Sequence, residues 1–296
     1  TRLTANGGHL RIQGISVVSW DAKAGAVDTQ HLDGRSFLLA ENGARMDIID
    51  AEVAYLGWAD GEPSGLSWRK RATPSDPRTG ATGSILRSNI HRNYFGQYSY
   101  EAYGLQVFNN EFHHNISYGF DPHDFSMNFV VAYNKVYNNG KHGIIFSRGC
   151  EWNWIHSNEV YGNAEHGIML DRGSNNNKLS DNLVYNNRDG IAIFQSSSNL
   201  IQNNILRDNE RGVRINATYD DNDIFDGTAI NGSQSVKDRR RFSSVQFAIA
   251  TSARFRHFTM NWNSIEPSGC DRRKRVAGLN SSIRSSFVPF RRGQSR

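Results

Sequence analysis

The sequence predicts an all-β chain wound as a right-handed parallel β-helix with coils of 22–24 residues. Three observations carry this. First, six copies of one pattern follow each other in a single register: an apolar residue, Asn three places on, then Gly three or four further. The glycines, Gly96, Gly119, Gly143, Gly167, Gly190 and Gly212, are spaced 23, 24, 24, 23 and 22 residues apart. Second, 24 of the 30 asparagines fall between Asn89 and Asn222, which marks them as part of the repeat. Third, the runs between them are short, β-branched and bounded by turn residues, as in Gly143-Ile144-Ile145-Phe146.

Residues 1–88 read as irregular early coils. Segments 10–20, 37–39 and 46–58 are strand-like, and 62–82, rich in Gly, Pro and charge, reads as a long loop. Residues 89–232 hold the regular coils. A unit of about 23 residues is too short for a helical-pair repeat, and the Leu-x-x-Leu-x-Leu spacing of leucine-rich repeats is missing. A second Asn stands two places before the apolar position in five copies: Asn110, Asn134, Asn158, Asn182 and Asn204. Asparagines recurring at one coil position are expected to stack into amide ladders, an architectural role rather than a binding one.

Beyond 232 the pattern stops. Residues 233–296 carry Arg239-Arg240-Arg241, Arg272-Arg273-Lys274-Arg275 and Arg291-Arg292 among scattered serines. This tail reads as foreign to the fold, an out-of-frame C-terminus, with a basic arm as the other reading. It also distorts the charge. The chain is formally +5, yet residues 1–228 hold 20 basic and 26 acidic side chains (−6), and 229–296 hold 14 and 3 (+11). An acidic partner must therefore be held by a local basic stripe and not by the overall field.

No run of 18 apolar residues exists, so no membrane span is expected. The start, Thr1-Arg2-Leu3-Thr4, has neither Met nor a secretory leader and reads as processed. Cys150 and Cys270 are too few for a disulfide framework. No metal or cofactor is expected: His-Glu-x-x-His is absent, and the acidic stretch 220–226 misses the Ca²⁺-loop spacing, which leaves Ca²⁺ an open alternative without support in the sequence.

Counting from each Gly gives columns along the coils. The first, Phe120, Ile144, Ile168, Ile191 and Val213, and the third, Pro122, Phe146, Leu170, Ile193 and Ile215, are apolar and should point inward. The second begins Asp121, Ile145, Met169, and the fourth begins His123, Ser147, Asp171; both should face solvent. The fifth, at the turn, runs Asp124, Arg148, Arg172, Gln195. With strands ~4.8 Å apart, Asp121, His123, Arg148 and Arg172 would share one groove suited to a linear polymer. Lys141, His142 and His166 precede repeat glycines and could line it.

Tyr118-Gly119-Phe120-Asp121-Pro122-His123-Asp124 resembles the signature of the bacterial mannuronan C-5 epimerases, and 134–148 resembles their periplasmic member. The resemblance covers residues 10–228 and implies conversion of β-D-mannuronate to α-L-guluronate within polymeric alginate. It implies a periplasmic location, polymannuronate as partner, and membership of an alginate export or biosynthesis complex, with no nucleic acid. It places the catalytic roles on His123, Arg148, Tyr118 and Asp121; the column reading adds Asp124, Arg172, Lys141, His142 and Asp171 as substrate contacts, with Asp121 or Asp124 to hold the imidazole. The chemistry asks for the same types. Removing a proton α to a carboxylate needs an Arg to neutralise the developing enolate-like charge, a base working near neutrality, and a proton donor across the ring, Tyr118 or water. Two other readings share these residues: a polyuronate lyase acting by β-elimination, and a non-catalytic carbohydrate-binding scaffold.

Overall fold

The computed structural model describes residues 2–59, 64–70, 80–216, 229–231 and 234–235. The described residues contain no helix, and so none long and apolar enough to cross a membrane. Three nine-stranded sheets run the length of the described coils, and every pairing within them is parallel, from Arg2–Asn6 against Phe37–Glu41 upward. Each coil gives one strand to each sheet, the architecture of a parallel β-helix. The first sheet includes Phe95–Tyr100, Phe120–His123, Ile144–Ser147, His166–Asp171, Asp189–Phe194 and Arg211–Asn216. It carries the site.

The predicted columns are in register. Phe120 pairs with Ile144, Ile144 with Ile168, Ile168 with Ile191 and Ile191 with Val213, all inward and buried. Phe112, Phe120, Phe129 and Phe146 fill the interior edge to face, with ring centroids 5.5–6.5 Å apart. One expectation needs correction. Segment 62–82 is not wholly a loop, because Gly65–Arg69 is a strand of the first sheet with Trp68 in the core. The early coils also join the same three sheets; they differ in length and in an added hairpin, Trp20–Asp21 against Ala26–Val27.

At the other end Ala229–Asn231 pairs in parallel with Leu200–Gln202 and continues the second sheet. Gln234–Ser235 pairs with Ile205–Arg207 and continues the third, so the coil path runs a little past residue 232. The acidic stretch 220–226 and the basic tail from 236 onward lie outside the described residues.

Amide ladders hold the coils together. Asn110, Asn134, Asn158, Asn182 and Asn204 form one, each Nδ2 donating to the next Oδ1 at 2.9–3.0 Å. Asn115, Asn139, Asn163, Asn187 and Asn209 form the second, at 2.9–3.2 Å. A third, outside the expected pattern, joins Asn153 to Asn177, whose backbone N–H donates to Asn199. The repeat glycines serve close packing: a Cβ on Gly143 would lie 2.7 Å from both Gly167 O and Val160 Cγ1.

Asn139 shows what one rung is worth. Its Oδ1 accepts from the N–H and Nδ2 of Asn115, and its Nδ2 donates to Phe112 O and Asn163 Oδ1. Asn139→Ala strands these buried partners at about 1–3 kcal/mol each, so urea unfolding should show a loss of about 3 kcal/mol or more. The exposed Lys135→Ala should stay within about 0.5 kcal/mol.

Where the first sheet turns toward the second, the corner residues Glu101, Asp124, Arg148, Arg172 and Gln195 are all left-handed, with φ of 49°, 30°, 62°, 50° and 48°. This backbone turns the strand end and sends the corner side chains outward.

Candidate active site

His123 ends the strand Phe120–His123, and its side chain leaves the sheet beside the corner residue Asp124. Asp124 Oδ2 lies 2.6 Å from His123 Nδ1. A carboxylate there holds the proton on Nδ1 and leaves Nε2 with its lone pair, the form a base needs. Burial lowers the His123 pKa from its ordinary value, Asp124 opposes this, and Arg148 and Arg172 add to the lowering. The imidazole is therefore neutral at neutral pH.

Arg148 and Arg172 take the same corner on the next two coils, and both are exposed. Arg148 reaches Asp124 Oδ1 only at 3.9 Å. Arg172 is tethered: its Nε donates to Asp171 Oδ2 at 2.6 Å and its Nη2 to Ser147 Oγ at 3.2 Å. Asp171 is buried and also accepts from Ser147 Oγ, which makes it a support for Arg172.

Asp121 departs from expectation. It shares the outward face with His123 but is 1% exposed, and it does not hold the imidazole; Asp124 does. Its Oδ1 has no hydrogen-bond partner, and burial together with Asp124 raises its pKa well above the carboxylate range. The next three residues of the second column are covered as well: Ile145, Met169 and Ala192 form a small apolar cluster apart from the main core, packed by Tyr118 and Phe194. The flanking columns roof it over, so alternation alone misjudges its exposure.

Tyr118 stacks between Phe95 and His142, with centroids 5.3 and 5.0 Å away, and Lys141 Nζ lies 5.5 Å from its ring centre. Burial and Asp121 push its hydroxyl up to about 12, so it stays protonated at neutral pH. The column continues as His142 and His166, stacked at 4.7 Å. His142, Glu165 and His166 each place a donor atom within 4.8 Å of the others, the described group best able to hold a metal. Spacing rules miss it because coil stacking, not chain proximity, joins the two histidines.

Tyr98 escapes the column reading altogether. Its ring stacks on His123 at 5.7 Å, and the Arg69 guanidinium lies 4.8 Å from its centroid. Tyr98 pairs with Asp121, which is the second column carried one coil lower, to the copy at Gly96. Extending the columns by that one copy would have found it.

The fold and these side chains define a parallel β-helix whose outward corner presents a carboxylate-held histidine and two arginines. Residues 81–253 match the family model described as periplasmic copper-binding protein (NosD), and the chain belongs to that family. Among curated proteins it is similar to a mannuronan C5-epimerase of Pseudomonas putida, 34% identical over 218 residues, and to mannuronan C5-epimerase AlgG of Azotobacter vinelandii, 39% identical over 222. Each match covers 71% of this chain and 42% of the relative, so the chain spans less than half their length. A crystal structure of a periplasmic alginate epimerase AlgG mutant matches with a TM-score of 0.69 at 31% identity, over 72% of this chain and 52% of that one. The resemblance at 118–124 thus extends to sequence and fold.

Proposed function

We propose that the chain epimerises β-D-mannuronate to α-L-guluronate at C-5 within polymeric alginate, in the periplasm, in the setting of an alginate export or biosynthesis complex. The observation that carries this is the His123–Asp124 pair beside Arg148, on a fold and sequence similar to mannuronan C5-epimerases. Arg148, aided by Arg172, takes the substrate carboxylate. His123 Nε2 removes the C-5 proton, and the C–H electron pair moves into the carboxylate, where the guanidinium balances the added charge. Tyr118 or a water returns a proton to the opposite face of C-5. Asp124 orients the base, and neutral Asp121 shapes the floor beneath it. Lys141 extends the groove on the far edge of the first sheet, whereas His142 is buried and backs the Tyr118 ring instead of lining it.

Proton NMR of polymannuronate after incubation tests this reading. New guluronate signals without chain cleavage are expected. An unsaturated-uronate absorbance would replace epimerisation by β-elimination, and an unchanged polymer that still binds would leave only a scaffold.

The pH profile follows from the lowered His123 pKa. The neutral imidazole is the active form, so kcat/KM should be flat through neutrality and fall only at acid pH, below the ordinary histidine value. Asp124 raises that pKa; Asp124→Asn should therefore move the acid limb to still lower pH. A limb that moves upward, or does not move, would remove Asp124 from this role.

A further inference from the structure

We propose that Tyr98 is a positioning residue for the base His123, fixing the plane of its imidazole; this rests on the epimerisation proposed above. The hydrogen bond between His123 Nδ1 and Asp124 Oδ2 pins one atom, and a ring held at one atom still swings about that contact. Nε2 must face the substrate C–H, so the swing has to be stopped. The Tyr98 ring does this from one face, with centroids 5.7 Å apart and planes 27° from each other. Tyr98 is held in its turn. The Arg69 guanidinium lies 4.8 Å from its ring centre, and Arg69 Nη2 donates to Ser64 Oγ at 2.9 Å. Arg69, Tyr98 and His123 belong to three successive strands of the first sheet, so one stack runs through consecutive coils.

The backbone singles out the same position. Phe95 pairs with Gly65 but Tyr98 with Ser67, three steps against two, so the strand Phe95–Tyr100 carries a β-bulge immediately before Tyr98. A bulge turns side chains off the regular alternation and is over-represented beside active sites. Toward the next coil the register is unbroken, with Tyr98 opposite Asp121 and Tyr100 opposite His123. Tyr98 therefore stands two residues short of His123 along the sheet, and its ring reaches diagonally to meet the imidazole. An aromatic side chain spans such a cross-strand diagonal. Burial first and Asp121 second push the Tyr98 hydroxyl up to about 12, so the ring is uncharged at neutral pH. The charged groups that face His123 are Asp124, Arg148 and Arg172; Tyr98 acts on it by contact and by excluding water.

Heteronuclear NMR titration of the His123 ring nitrogens, assigned by their loss in His123→Gln, tests this together with steady-state kinetics. Burial is the largest cause of the lowered His123 pKa. Tyr98→Ala should therefore raise it toward the ordinary histidine value and carry the acid limb of kcat/KM to higher pH, opposite to Asp124→Asn. Its kcat should fall about tenfold or more, with KM changed less than about twofold. Tyr98→Phe keeps the ring and should recover most of both the pKa and the turnover. Tyr98→Leu keeps bulk without a plane; it should fold with the parental Tm and still lose turnover. An unchanged His123 titration in a folded Tyr98→Ala variant overturns the proposal, as does parental kcat in Tyr98→Leu or a Tyr98→Phe as impaired as Tyr98→Ala. The titration needs no substrate. A parent that leaves polymannuronate unchanged refutes the epimerase reading alone, and the titration still decides whether Tyr98 governs His123.

Discussion

His123→Gln should lower turnover of polymannuronate by roughly 10³-fold, within the 10²–10⁴ range that a positioned base supplies, while the polymer still binds. The reasoning is local. Asp124 fixes one imidazole nitrogen, Tyr98 covers the ring, and no other described imidazole shares this corner. Exchange of solvent deuterium into C-5 should fall with turnover, since both need the same proton removal. Retained exchange in the variant would move the base elsewhere and sink the assignment.

Arg148→Ala is expected to cost about 10²–10³-fold in kcat, the scale of losing one donor aimed at developing charge. Arg148→Lys should recover little, because an ammonium cannot reproduce the two-point guanidinium contact. Arg172→Ala should cost less, since Asp171 and Ser147 already engage that guanidinium and Arg148 does not depend on it. Steady-state kinetics of the three variants check the ranking. Near-normal turnover in Arg148→Ala would mean that carboxylate neutralisation rests on another side chain.

Much of this is legible in the amino-acid order because the fold is a linear repeat. Once the Gly register is set, Phe120, Ile144 and Ile168 must stack, and His123 must stand under Ser147 and Asp171. What escapes shares one cause: it depends on neighbours from other coils. Period-two alternation puts Asp121 in solvent because it gives the face of a strand and not what lies over it. Gly65–Arg69 is hidden because its coil lacks the Asn marker and runs through a Gly- and Pro-rich segment. The Asn153 ladder goes unnoticed because its rungs lie outside the apolar–Asn–Gly frame. The His142–Glu165–His166 group needs two coils to form.

The left-handed corner has one more consequence. Asn or Gly adopts that backbone more readily than a long cationic side chain, for which it costs about 1 kcal/mol, yet the corner keeps Arg148 and Arg172. Selection for heat resistance alone would drift both positions toward Asn or Gly and remove the two guanidinium groups on which the proposed mechanism relies. At this edge of the solenoid, durability is set against the turnover proposed for it.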